Sequence, residues 1–278
     1  MKRILWVSLA AAIILLAVFV LPRALAQGTA RPSQVLAAAP EATAVPQRNW
    51  YTVNIVTVRP ESANDFIEFQ KTQTIPMLQR GGVKSRDVWQ SGAPFGDGGT
   101  YAFVTPIDKF ADYDLEPRAL RVLGAEAGRA YQEKNRRMLV SGRSFAVQDR
   151  AELSVVPNAG FKAKAGILTL TTVVAGHAEA YEAYLKNDLL PVLKRGNVAG
   201  YLVSHTTFGG DANEYASMQL LDSYAEIDKG PLARRVLGLQ PWQELLAKAT
   251  PHIAAQRREL LRYVPDLSFR VATTSQNR

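Results

Sequence analysis

The sequence predicts an α+β fold: two tandem βαββαβ units packed sheet to sheet as one intramolecular barrel. Three observations predict it. The chain repeats itself at a nearly constant spacing. Each copy passes through strand and helix periodicities in the same order, and one such unit alone would leave a sheet face uncovered.

The repeat is read directly from the residues. Ile75-Pro76-Met77-Leu78-Gln79-Arg80-Gly81 matches Leu190-Pro191-Val192-Leu193-Lys194-Arg195-Gly196 at an offset of 115. Tyr101-Ala102 and Asp108 match Tyr215-Ala216 and Asp222 at 114. Pro117 to Gly124 matches Pro231 to Gly238 at the same offset, with six of eight positions identical. Ala151-Glu152-Leu153-Ser154 then matches Pro265-Asp266-Leu267-Ser268. One single-residue gap between residues 91 and 100 reconciles every match, so repeat one spans 49–158 and repeat two 163–272.

Within each copy a strand comes first, Val53–Arg59 and Leu168–Val174, with alternating side chains. A helix follows over Ser62–Arg80 and His177–Arg195, where Phe66 and Phe69, or Tyr181, Tyr184 and Leu185, recur at helical spacing. Gly81 and Gly196 stand where a C-terminal cap wants positive φ, and Pro76 and Pro191 predict a matched kink or break. Two strands come next, Lys84–Gln90 and Thr100–Ile107, matched by Gly200–Thr207 and Glu214–Leu221, joined by Gly-rich hairpin loops. Helices are expected over Glu126–Val140 and Pro241–Arg262. The closing strand falls near Phe145–Val147 or Leu153–Val155, and near Leu267–Val271. That order is the split βαβ pattern of ferredoxin-like folds.

The chain's 278 residues suffice for two such units. Apolar content of 47% and charged content of 21% are ordinary globular values. Residues 1–26 read as an export signal: Lys2 and Arg3, an uncharged apolar run from Ile4 to Leu21, then Ala24-Leu25-Ala26 before Gln27. The same 18 uncharged residues are just long enough to span a bilayer as an uncleaved anchor. Cleavage would remove Lys2, Arg3 and Arg23 and no acid, lowering the net charge from +8 to +5. The product would be periplasmic or secreted. Residues 27–48, rich in Ala, Pro and Thr, read as a flexible linker, and 273–278 as a disordered tail.

Several chemistries are excluded by composition. With no cysteine there is no disulfide, thiolate nucleophile or iron–sulfur ligation. No His-Glu-x-x-His or His-x-His spacing points to a metal, and no cofactor is expected. Gly96-Asp97-Gly98-Gly99 lies between strands and reads as a hairpin turn, not a phosphate loop. Basic pairs such as Arg136-Arg137 and Arg257-Arg258 lie among acids, so no nucleic-acid stripe is expected.

Several short motifs carry a resemblance. Leu190-Pro191 with Lys194-Arg195-Gly196, Pro241-Trp242-Gln243-Glu244-Leu245, and Leu260-Leu261 before Pro265 and Ser268-Phe269 resemble NIPSNAP-type domains of the dimeric α+β barrel superfamily. The likeness is thinner in copy one, where Ala127-Gly128 stands for Pro241-Trp242. The resemblance implies a barrel that hosts cofactor-free monooxygenases, haem-handling enzymes, small-ligand binders or members without activity. Haem-degrading relatives use an Asn, a Trp and a His. Asn54, Trp242 and His252 offer those types, but Trp242 sits on the wrong helix and Asn54 in the other copy.

The remaining candidates rest on faces. Val53, Ile55, Leu168 and Leu170 form an aliphatic face expected to meet the helices. Asn54, Val56, Thr169 and Thr171 form a mixed face expected to line a cavity between the sheets, with Tyr101 and Tyr215 adding hydroxyls. His205 is the best candidate for a proton shuttle or ligand contact; His177 reads as a helix-start residue, and His252 follows Pro251 within the last helix, where facing solvent is an equal reading. All three histidines lie in copy two, so a site would be weighted toward that copy. The first functional reading is an exported protein binding a small organic ligand. The alternatives are a cofactor-independent monooxygenase-like enzyme and a structural or interaction module. An apolar cavity with Asn54, Thr171 and His205 converging would favour the first two. A barrel filled by Trp89, Phe103 and Tyr215 would favour the third.

Overall fold

The computed structural model describes residues 49–91 and 98–271. The export signal, linker, tail and most of the Gly96–Gly99 region's loop predicted above lie outside them. Strand β1 (Trp50–Val58) leads to helix α1 (Ala63–Phe69), a π-helical turn (Gln70–Thr74) and α2 (Ile75–Arg80). Then come β2 (Ser85–Ser91), β3 (Thr100–Ile107), α3 (Arg118–Leu123), α4 (Ala125–Arg137) and β4 (Leu139–Asp149). The second half runs β5 (Ala165–Val173), α5 (Ala178–Tyr184), a π-helical turn (Leu185–Leu189), α6 (Leu190–Arg195), β6 (Tyr201–Phe208) and β7 (Glu214–Leu221). It ends with α7 (Ala225–Asp228), α8 (Leu232–Leu237), α9 (Leu239–Ala249), β8 (Ile253–Tyr263) and the short β9 (Phe269–Arg270).

The expectation of two ferredoxin-like units with separate sheets is corrected by the strand pairing. Eight antiparallel strands form one closed ring in the order β3-β1-β4-β6-β7-β5-β8-β2, with β2 pairing back to β3 and β9 adding to β2. Within the ring, two pairings cross between the halves. Strand β4 pairs with β6 through Gln148↔His205, and β2 with β8 through Trp89↔Tyr263 and Gln90↔Arg262. Two stacked sheets would leave edge strands with unpaired backbone donors and acceptors, and closure removes those edges.

Three local expectations change for identifiable reasons. The helix expected over Pro241–Arg262 stops at Ala249, and Ile253–Tyr263 is a strand. Ala254 to Leu261 has good helix formers, but nine residue pairs with β5 override that propensity. The break expected at Pro76 and Pro191 appears as a π-helical turn just before each α2 and α6 start. The widened turn lets the helix continue through a residue that lacks an N–H. Gly81 and Gly196 have φ of −80° and −79°, so they are not positive-φ caps. A Cβ on Gly81 would lie 2.6 Å from Arg118 Cδ, and one on Gly196 2.8 Å from Leu232 Cδ1. Glycine is there to let the helices approach.

The face assignment is also reversed. Val56 packs with Phe66, Phe69 and Tyr101 under α1, so the Asn54/Val56 face meets the helices. Leu168 packs with Trp89, Met218 and Tyr263 on the opposite face, inside the ring. A Cβ on Gly166 would meet Met218 Sδ at 2.5 Å and Trp89 Cζ3 at 3.2 Å, so the interior is filled beside that residue. Alternation defines two faces but cannot say which one meets helices when both are covered. Of the three residues whose filling of the barrel would have favoured a structural module, only Trp89 lies inside it. Phe103 and Tyr215 lie beneath the helices.

Each half also completes the other. Leu153, from the turn after β4, is buried in the second half's helix–sheet core, and Leu267, from the turn after β8, in the first half's. The serine after each holds the exchange: Val203 N donates to Ser154 Oγ and Val88 N to Ser268 Oγ, both at 2.9 Å.

Candidate functional site

A cavity of about 820 Å³ opens between the helices of the first half and the outer face of β1 and β3. Strand β1 contributes Asn54 and Val56, β2 Arg86, β3 Phe103, and α4 Tyr131 and Asn135. The π-helical turn supplies Gln70 and Thr74, both buried. Such single widened turns recur at functional sites because they swing a side chain out of ordinary helical register.

Arg86 is the central polar group and is 3% exposed. Its Nε and Nη2 donate to the Leu267 carbonyl at 3.2 and 2.8 Å, and Nη1 donates to Gln70 Oε1 at 3.0 Å. Its guanidinium carbon lies 4.8 Å from the centre of the Phe103 ring. Burial pulls Arg86 down to about 10, with Tyr131 opposing, so it remains a cation at neutral pH. Beside it, Tyr131 OH and Thr74 Oγ1 share a hydrogen bond of 2.8 Å, and the Tyr131 ring stacks on Phe69. Burial raises the Tyr131 pKa, against the Thr74 hydrogen bond and the charge of Arg86. Its hydroxyl therefore stays protonated. Two further lining atoms, Arg118 Nε and Asn135 Oδ1, are buried with no hydrogen-bond partner.

The residues expected from sequence are divided between the two halves. Asn54 lines this cavity and accepts a hydrogen bond from Ser144 Oγ. Tyr101 is buried under α1 and receives Gln90 Nε2 at 3.2 Å. The other four lie on the second half. Thr171 is buried and receives Gln256 Nε2, while Thr169 sits opposite Ser217 and Arg258. Tyr215 OH donates to Glu182 Oε1 at 2.6 Å, where Glu182 also takes a bidentate pair from Arg150. Burial and the Glu182 charge push the Tyr215 hydroxyl up. His205 lies against the Tyr215 ring and donates Nε2–H to the Ala212 carbonyl at 2.7 Å. Asn54, Thr171 and His205 therefore do not converge.

His177 and His252 face each other, Nδ1 to Nδ1 at 3.1 Å, one donating and one accepting. His252 is thus paired, and it closes the 3-10 turn Thr250–His252 that follows α9. Trp242 packs into the second half's core under Arg234. Asn54, Trp242 and His252 do not share a site, so they do not fit the haem arrangement. Among the described residues no group of three or more His, Asp or Glu could hold a metal ion.

Sequence reasoning missed Gln70, Thr74, Arg86, Tyr131 and Asn135. A signal was present. At offsets of 115 and 114 residues these positions correspond to Leu185, Leu189, Tyr201, Leu245 and Ala249, so polar side chains stand where the second half is apolar or aromatic.

No family model matches the chain, and no curated protein does. Solved structures do. A proposed monooxygenase from Lactobacillus acidophilus is similar with a TM-score of 0.54 and 8% identity, covering 81% of this chain and 97% of that one. One from Fusobacterium nucleatum gives 0.55 and 10%, covering 79% and 94%. An anthrone oxidase-like protein gives 0.55 and 12%, covering 79% and 92%. The fold is that of the dimeric α+β barrel proteins. At these identities the likeness establishes the fold alone.

Proposed function

We propose that this protein is a monooxygenase-like enzyme that oxidises an organic substrate bound in the first-half cavity. The observation that carries the reading is that cavity, with an apolar wall of Phe66, Met77 and Phe103 and a buried cation, Arg86, at one side. The three similar structures, two proposed monooxygenases and an anthrone oxidase-like protein, support it.

The chemistry suits a substrate with an acidic C–H conjugated with a carbonyl, directly or through an aromatic ring. Transfer of that proton to solvent leaves an enolate, whose oxygen Arg86 stabilises in a low-dielectric setting. The enolate passes an electron to dioxygen and recombines with it as a peroxide anion, which takes a proton back from solvent to become a hydroperoxide. Loss of water then gives the ketone, so that a CH2 group and O2 become C=O and H2O. Tyr131, held protonated, serves as a hydrogen-bond donor and not as a base. The test is oxygen uptake with anthrone, C14H10O, as probe. One O2 consumed per anthraquinone, C14H8O2, formed is the expected result. Uptake no faster than in the protein's absence would sink the reading.

A binding-only reading has one observation in its favour. The carboxylates lining the cavity, Asp108, Asp112 and Glu116, all come from the exposed stretch after β3, none from its buried side. Anthrone bound but not oxidised would support it.

We further infer that the chain is exported, on the strength of Lys2-Arg3, the Ile4–Leu21 run and Ala24-Leu25-Ala26. A mature N-terminus at Gln27 is the expected result of N-terminal sequencing. Duplication of one NIPSNAP-like unit is the proposed origin of the two halves, supported by the paired π-helical turns and the Leu153 and Leu267 exchange.

A further inference from the structure

We infer that the ligand of the first-half cavity is an organic oxyanion on an apolar ring body, its charged oxygen lying against Arg86. The inference rests on reading this cavity as the substrate site and goes on to name the chemical class it takes.

Charge balance is the first ground. A guanidinium has five N–H donors. Arg86 gives three, one each from Nε, Nη1 and Nη2, so among the described residues one N–H on each Nη has no acceptor. Both of its acceptors, an amide and a backbone carbonyl, are neutral. Among the described residues no carboxylate forms an ion pair with it. A buried charge is ordinarily paired, because water no longer solvates it. One free N–H on each Nη is the donor set that a carboxylate or phenolate oxygen takes.

The fold itself does not require a cation there. Tyr201 stands at the matching position of the second half, where it is buried in the core and the layer closes with an aromatic ring in place of the arginine. Arg86 is therefore a special feature of the hollow half. The unpartnered Arg118 Nε adds a second donor on the same cavity, and Asn135 Oδ1 an acceptor for a hydroxyl. Around them, Val56, Phe66, Met77 and Phe103 form an apolar wall that suits a ring better than a small inorganic ion.

The test is a fluorescence titration of the full-length chain with 2-naphthoate and with its neutral isostere 2-naphthamide. The acid is expected to bind at least about tenfold more tightly. Gln70→Glu would place a carboxylate against Arg86 with almost no change of shape, so the variant should fold. It is expected to lose the preference for the acid while amide binding stays within about twofold. Arg86→Gln is expected to lose it too, and if that variant does not fold the Gln70→Glu result decides. Equal affinities for the two probes, binding of neither, or a preference that survives Gln70→Glu would overturn the inference. Anion preference without anthrone oxidation would remove the oxygenase reading and keep this one. Oxidation with equal affinities would do the reverse.

Discussion

Beneath α5 the layer between helix and sheet is closed by Tyr181, Tyr184, Leu185 and Tyr201, all buried. Beneath α1 the matching positions hold Phe66, Phe69, Gln70 and Arg86, and a cavity remains. The backbones follow the same element order, including the π-helical turn. What differs is whether the side chains at four or five positions fill the space or line it. The comparison teaches that in this fold a site is made by withdrawing apolar volume from a layer the backbone would otherwise close. Histidines are a poor guide here: all three sit in the filled half, where they bond to a carbonyl or to each other.

The largest test of the comparison uses the two exchanged leucines. Leu153→Ala and Leu267→Ala should each cost about 2–5 kcal/mol, read as the shift in urea midpoint. Leu153 lies in the filled layer, which cannot relax around a void, so its loss should be the larger. If Leu267→Ala costs more, the first layer is the tighter one and the contrast drawn above is wrong.

The buried tyrosines give a pH test. Burial pushes Tyr184 up to about 12, and Tyr201 and Tyr215 are raised as well, from an ordinary value of 10.0. The folded protein then keeps protons that the unfolded chain releases. Stability from this source is intact below about pH 10 and falls as pH rises from about 10 towards 12. Thermal melts across that window should show the fall. Tyr184→Phe should reduce it by about 5 °C, and an unchanged slope would remove Tyr184 from the account.

The smallest effect expected is from making the hollow half resemble the filled one. Thr74→Leu copies Leu189 at the matching position, giving up one hydrogen bond and gaining apolar contact. Stability should change by no more than about 1 kcal/mol, while 2-naphthoate affinity falls. Retained affinity would mean that the cavity's volume beside Thr74 is not used.

The boundaries of β3 and β7 and the element order were legible in the sequence, because strand alternation and turn glycines act locally. Ring closure was not. The pairing of β4 with β6 and of β2 with β8 depends on edges meeting across more than fifty residues, about which periodicity is silent. Strand β8 was misread because Ala254 to Leu261 favours a helix in isolation, and only its partner β5 decides otherwise. Of the candidate site, Asn54 was found. Arg86 was passed over because one arginine in a strand looks like a solvated residue until burial is known.

The exchanged turns also set an order of events during synthesis. The first half leaves the ribosome with its β2 edge unpaired and the place of Leu267 empty, since β8 and the turn after it are made about 110 residues after β4. Residues 49–158 therefore cannot mature as a free-standing unit while the rest is being made. The barrel becomes resistant to aggregation and proteolysis only when nearly the last described residues arrive, and a chain truncated before residue 267 should be cleared by proteases, not stored as a smaller folded protein.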